Sequence, residues 1–294
     1  MNISEYKVNL LIPGAGKSGT TSLHAYLNQH PNICMSENKE PHYFAIDTEY
    51  NKGIGYHNAL FTCNTKKDIV YYGESSTTYF ISKAAVERIK KDLSAPRFIF
   101  ILRNPIDRIF SHFSWIRNNM GLETLSFEAE IMSDRNAVFD ANKPLKGGAY
   151  KNYLQESFYG SAVAEYIKAF GRENLYVITT EQLKSAPLST LNECFAFLNL
   201  SNINDIKETF AGITEKKVNV TPGFMKSISF ILPNKLFGRA KNKVVEKFFI
   251  KREELPGITA DQREWLKQML VDEVAKLREI TGQKFDEWHD FKLN

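Results

Sequence analysis

The sequence predicts an α/β fold: a P-loop-like central parallel sheet flanked by helices, forming one domain over residues 1–294 with a loop-rich lobe. Three observations predict it. Short apolar runs at residues 8–12, 97–102 and 174–179 show no polar alternation, the pattern of strands buried on both faces. Longer stretches with helical spacing separate those runs, which argues for strand–helix–strand units and a parallel sheet. The first run ends in a glycine-rich turn, Gly14-Ala15-Gly16-Lys17-Ser18-Gly19, followed at once by the start of a helix.

Taken in order, the strand over 8–12 feeds a helix from Thr20 that Pro31 stops near His30. Residues 37–44, polar and aromatic around Pro41, read as a structured loop. Asp68–Glu74 is a second strand running into the polar turn Ser75–Thr78, and Ser82 caps a helix over 83–93. Arg97–Leu102 is the strongest buried-strand signal, and Pro105 opens the helix that follows it through about Arg117. Residues 118–148 are polar and form the lobe. A helix is expected over 153–170 with Gly171 ending it, then a strand at 174–179 and a helix at 188–198. Residues 214–235 read as irregular. Thr259 and Gln262 make a capping box for a long helix that Gly282 terminates.

Composition sets the class. With 43% hydrophobic and 24% charged residues, the chain is that of an ordinary globular protein. A net charge of +4 suits anionic ligands and falls short of a nucleic-acid footprint. No run is long enough to span a bilayer, and the first residues lack the apolar core of a signal peptide, so a cytoplasmic protein is expected. Cys34, Cys63 and Cys194 have no metal-ligand spacing and read as free thiols in a reducing compartment. The histidines show no such spacing either, and no metal site is expected.

The chemistry starts at the glycine turn. Strand, turn and helix N-terminus converge their backbone N–H groups and the helix dipole on one point, which is an anion site. The pattern G-x-x-x-x-G-K-[ST] is nearly met, but Lys17 stands two positions before Gly19 and Thr20 takes the usual lysine place. An NTPase also wants an acidic strand end for magnesium. Here the best strand ends in Arg103, with Ser111 eight residues on, a second anchor suited to phosphate. Ligands of such sheets bind at the carboxyl ends of the strands, so residues 14–21, 74–78 and 103–111 should meet there. The residues alone thus describe a ligand with two separate phosphate groups, handled without a metal.

The segments Lys17-Ser18-Gly19-Thr20-Thr21-Ser22-Leu23, Lys39-Glu40-Pro41-His42-Tyr43-Phe44 and Leu102-Arg103-Asn104-Pro105-Ile106-Asp107-Arg108…Ser111-His112-Phe113 resemble the sulfotransferases that use 3′-phosphoadenosine 5′-phosphosulfate. The likeness is to the bacterial and heparan sulfate branch. It continues through Asn51–Tyr56, Gly148-Ala149-Tyr150, Glu181-Gln182-Leu183, Phe197–Leu200 and Phe285–Trp288 in order. It implies that Gly16, Lys17, Ser18, Gly19, Thr20, Thr21 and Ser22 bind the 5′-phosphosulfate end, with Lys17 catalytic, and that Arg103 and Ser111 bind the 3′-phosphate. A late basic segment of the family is matched by Lys216-Lys217-Val218-Asn219, which implies Lys217 near the 3′-phosphate. It also implies Glu40 as the general base that takes the acceptor hydroxyl's proton, with His42 either an alternative base or a group that orients the acceptor.

The acceptor implied is the hydroxyl of a carbohydrate or of another small or lipid-linked molecule. Many enzymes of the glycan branch place a lysine after the glutamate of the second strand end, where this chain has Ser75 after Glu74. That departure argues against a strongly anionic glycan. Residues 49–67 and 118–148 are the expected acceptor loops. The basic and apolar stretch 226–252 reads as an amphipathic helix packed on the core with a solvated basic face, as an acceptor lid or as a peripheral membrane contact with anionic lipid. Two other functions compete. A P-loop kinase of a small molecule would use ATP and magnesium, and a non-catalytic nucleotide-binding or membrane-surface module would dispense with the base or the lysine.

Overall fold

A computed structural model describes residues 6–120, 125–135, 137–145, 150–207, 217–220, 251–254 and 257–293. Its sheet contains β1 (Leu10–Ile12), β2 (Ile33–Met35), β3 (Tyr71–Ser75), β4 (Arg97–Leu102) and β5 (Leu175–Thr179), ordered β2-β3-β1-β4-β5. Every pairing in it is parallel, with Ile12 opposite Ser75, Leu11 opposite Phe98 and Leu102 opposite Thr179.

The unbroken apolar runs are explained by burial on both faces. Leu10, Ile12, Ile99 and Ile101 pack on one side with Leu23, Leu27, Leu191 and Phe195. Leu11, Phe98, Phe100 and Leu102 pack on the other with Ile106, Tyr166, Leu270 and Leu277. Phe98 and Phe100 each meet the Tyr166 ring edge-on at 5.1 Å. An edge-to-face pair of this kind adds roughly 1 kcal/mol beyond its buried area.

The helices covering the sheet are α1 (Thr20–Leu27), α2 (Asp47–Tyr50), α3 (Gly53–Asn58), α4 (Lys83–Asp92), α5 (Pro105–Trp115), α6 (Phe127–Asp134), α7 (Tyr159–Phe170), α8 (Thr180–Ser185), α9 (Pro187–Phe197) and α10 (Ala260–Thr281). The Ser82 hydroxyl accepts from the Ala85 N–H and caps α4, and Thr259 with Gln262 forms the capping box of α10. Gly282 closes α10 in the left-handed conformation. No helix among the described residues is long and apolar enough to cross a membrane.

Several expectations change. Cys34 and Cys63 are not free thiols: β2 brings Cys34 beside the 59–67 segment, their Cα atoms lie 5.9 Å apart and the two are joined by a disulfide. Cys194 alone stays a buried thiol, and the cysteines no longer argue for a reducing compartment. The polar segment 49–67 is partly helical, through α2 and α3, and the lobe contains α6, because Ser126 caps it through the Ala129 N–H. Helix α7 begins at Tyr159 rather than near residue 153, since a 3-10 turn over Gln155–Ser157 intervenes. Residues 217–220 are not irregular but form β6 (Lys217–Val220), antiparallel to β7 (Lys251–Glu254). The 226–252 stretch lies almost wholly outside the described residues; its last two belong to β7.

Candidate active site

The glycine loop leaves β1 and stays tied to β4. Ala15 N–H donates to the Ile101 carbonyl at 2.8 Å, and Ile101 N–H donates to the Gly14 carbonyl at 3.0 Å. The Thr180 hydroxyl bridges the loop to the strand end, 2.5 Å from the Ser18 carbonyl and 3.0 Å from that of Leu102. Gly19, at φ 92°, precedes α1 in the left-handed region that a side chain would make costly. The first turn of α1 carries no acidic residue, so its N–H groups and dipole face the loop unneutralised.

Three of the implied catalytic residues, Lys17 (φ 65°), Glu40 (φ 61°) and His42 (φ 53°), are non-glycine residues held in that same region. Such conformations cost roughly 1–3 kcal/mol each and persist where the surroundings over-determine them, as at functional sites.

Lys17 points into a cluster of cations. Its Nζ lies 5.3 Å from the centroid of the Trp115 ring. Burial, then the charge of Arg103, lowers its pKa to about 8, helped by Lys39 and Arg108; Glu156 acts in the opposite direction. Arg103, half-buried at the end of β4, donates from Nη1 to the Lys17 carbonyl at 3.4 Å. Ser111 is half-buried on α5, whose N-terminus begins two residues after Arg103. The Asn104 side chain caps that terminus by accepting from the Ile106 N–H at 3.1 Å.

The other loop residues divide. Thr20 is buried, Thr21 exposed and Ser22 half-buried. Ser18 is fully buried; its N–H donates to the Ala15 carbonyl at 3.3 Å, so it fastens the loop from within. Lys217 lies in β6, whose backbone runs beside the π-helical turn Ile116–Met120 that continues α5.

The second wall is the 39–42 segment, held against the end of β3. Glu40 N–H donates to the Ser75 carbonyl at 2.9 Å, and His42 N–H to Ser76 Oγ at 2.9 Å. The Glu40 carboxylate accepts from Thr77 N–H at 2.8 Å and Thr77 Oγ at 3.1 Å, and pairs with Lys39 through its other oxygen. His42 Nδ1 lies 2.9 Å from Thr78 Oγ1 and 3.7 Å from Glu40 Oε2. Burial lowers the His42 pKa, which favours the neutral ring. Because Lys39 acts on Lys17 and pairs with Glu40, the two walls share one rim.

Glu74, at the end of β3, faces Tyr79 and His57. It is buried, accepts from the Tyr79 hydroxyl at 2.9 Å and lies 3.6 Å from His57 Nε2. Ser75 is buried, with its hydroxyl 2.9 Å from His24 Nδ1. His24 Nε2 lies 3.2 Å from the Ser36 carbonyl, and burial lowers its pKa to about 4. A neutral His24 that donates from Nε2 and accepts at Nδ1 satisfies both contacts.

Sequence reasoning missed four neighbours of the loop: Glu156, Arg108, Trp115 and Lys39. Arg108 and Lys39 lie inside the recognised segments, and Trp115 is one α5 turn beyond Ser111. Glu156 belongs to no motif, and nothing in its local sequence marks it.

Human bifunctional heparan sulfate N-deacetylase/N-sulfotransferase 1 is 26% identical over 287 residues, which is 95% of this chain and 30% of that protein. Human heparan sulfate glucosamine 3-O-sulfotransferase 5 is 27% identical over 190 residues, 65% of this chain and 53% of that one. The chain therefore spans about a third to a half of the length of these curated relatives. A sulfotransferase from Alicyclobacillus acidocaldarius shares the fold with a TM-score of 0.67 at 23% identity, covering 96% of this chain and 98% of its own. The family model for the sulfotransferase domain matches residues 7–221, which take in the glycine loop, the 39–42 wall and the Arg103 strand end, and the chain belongs to that family.

Proposed function

We propose that the protein transfers a sulfuryl group from 3′-phosphoadenosine 5′-phosphosulfate to a hydroxyl of a carbohydrate or of another small or lipid-linked acceptor. The observation that carries the reading is the coupling of Arg103 to the glycine loop. One rim offers a helix N-terminus with Lys17 for one anionic group and a guanidinium on the adjacent strand end for another.

Lys17, Gly19, Thr20, Thr21 and Ser22 suit the 5′ end of such a nucleotide, and Arg103, Ser111 and Lys217 its 3′-phosphate; Gly16, also implied for the 5′ end, gives its N–H to the Glu156 carboxylate. Ser18 supports the loop from inside. When bound, the nucleotide supplies an electrophilic sulfur whose bond to the 5′-phosphate oxygen breaks as the acceptor oxygen bonds to it. Lys17 and the N–H groups of the loop stabilise the negative charge that develops on that phosphate. Glu40, fixed by Thr77 and Lys39, accepts the acceptor's proton; neutral His42 orients the acceptor or shares that role. Ser75, turned inward against His24, brings no cation to the acceptor side, which favours a weakly charged acceptor over a heavily sulfated one. The heparan sulfate relatives support a sugar as the first acceptor to try.

The test is thermal stabilisation by adenosine 3′,5′-bisphosphate against ATP with magnesium. A ligand at 100 times its Kd stabilises by about 2.7 kcal/mol. The bisphosphate is expected to raise Tm; stabilisation by ATP–magnesium alone overturns the reading in favour of a kinase.

A further inference from the structure

One carboxylate lies directly against the anion-binding loop. Glu156, 4% exposed, accepts from the Gly16 N–H through Oε1 at 2.5 Å. A Cβ on residue 16 would stand 2.6 Å from that oxygen, so glycine is what permits the approach. The other oxygen accepts from Arg108 Nη1 at 3.1 Å. Arg108 is itself fully buried, its Nε donating to Ser157 Oγ at 2.6 Å and its Nη2 to the Tyr153 carbonyl. A buried negative charge at a site meant for an anionic nucleotide weakens the binding of that nucleotide, so its presence calls for an offsetting role.

We propose that Glu156 is a positioning residue of the transfer site: braced by Arg108, its carboxylate clamps Gly16 from beneath and sets a negative charge against the loop that carries Lys17. The inference rests on the sulfotransferase reading given above. The charges that face Lys17 come from three other elements: Arg103 at the end of β4, Arg108 on α5 and Lys39 on the 39–42 wall. All three favour loss of the Lys17 proton, as does burial, and Glu156 opposes them. A buried Lys17 without Glu156 would release its proton at a lower pH and stop stabilising phosphate charge there.

The experiment needs no acceptor. Affinity for adenosine 3′,5′-bisphosphate is measured by calorimetry from pH 6 to 10 on the full chain, wild type and Glu156→Gln, with Lys17→Met as the control that removes the titrating group. In the wild type the affinity is expected to fall as pH rises through about 8. In Glu156→Gln the fall begins at lower pH. Below it, where Lys17 is charged in both proteins, the variant binds as tightly as wild type or tighter, because a repelling charge is gone. At pH 9 it binds at least about threefold more weakly, since loss of the Lys17 charge removes a charge-assisted contact. A purely structural role predicts weaker binding by the same factor at every pH. That outcome, or a pH profile superimposable on wild type, overturns the proposal. Should Glu156→Gln fail to fold, the double variant Arg108→Gln/Glu156→Gln leaves no unpaired buried charge and is expected to show a smaller shift in the same direction. Absence of bisphosphate binding by the wild type would instead refute the sulfotransferase reading, which keeps the two failures apart.

Discussion

The Arg103 guanidinium donates to the main-chain carbonyl of Lys17 across 3.4 Å, joining the end of β4 to the loop that leaves β1. The carbonyl takes one of the guanidinium's five N–H donors and leaves the others for a ligand. The arginine can therefore hold the loop and bind an anion at the same time.

The 3′-phosphate role proposed for Arg103, which the resemblance implies, can be tested by difference. Arg103→Ala should weaken adenosine 3′,5′-bisphosphate binding by roughly 10- to 100-fold, the worth of a charge-assisted contact of about 1.5–3 kcal/mol. Adenosine 5′-monophosphate, which lacks the second phosphate, should lose much less. Equal losses for the two ligands would mean that Arg103 acts on the loop alone.

Glu40 stands where its carboxylate is fixed by donors on one side and partly exposed on the other, with 27% of its side chain accessible. Glu40→Gln keeps the shape and removes the basicity. Turnover on a glycan acceptor should drop by about 100- to 10,000-fold, the usual contribution of a general base, with nucleotide affinity almost unchanged. His42→Ala should cost less turnover and raise the acceptor KM if the ring orients the acceptor. The reverse ranking of the two variants would make His42 the base.

The sheet was legible because burial on both faces leaves a signature within six residues, as in Arg97–Leu102, where residues 98 to 102 are fully buried. The loop and Arg103 were legible because their chemistry is local to a strand end. Strand β2 was not: Ile33–Met35 is only three residues long and follows a proline, so it offers no run to read. The Cys34–Cys63 bond and the Glu156–Gly16 contact were not legible either. They span 29 and 140 residues, and only the completed fold brings the partners together.

The disulfide staples β2 to the 59–67 segment that follows α3. A closed loop of 29 residues should stabilise the fold by about 3–4 kcal/mol in the chain-entropy account. Cys63→Ser, or reduction of the wild type with dithiothreitol, should lower Tm by several degrees. The glycine loop, on the other side of β3, should keep its bisphosphate affinity. A melting curve indifferent to reductant would show that the bond contributes nothing to stability.

Lys17 should be a liability to the fold and an asset to the site. Its folded pKa of about 8 lies below its ordinary value of 10.5, with burial the first cause and Arg103 the second. A lysine with a depressed folded pKa binds fewer protons in the folded state than in the unfolded state between those two values. The cost of keeping it charged is therefore fully present below pH 8 and is relieved as pH rises towards 10.5. Allowing for partial solvent screening, that cost is about 1–3 kcal/mol. Lys17→Met, which keeps the apolar stem beside Trp115, should thus raise the Tm of the ligand-free protein at pH 7. The gain should shrink towards pH 10, where wild-type Lys17 is already neutral. The same variant should bind the bisphosphate more weakly at pH 7, and without the fall in affinity that wild type shows as pH rises. A Lys17→Met protein less stable than wild type at pH 7 would contradict the assignment of Lys17 as a strained, functionally retained charge.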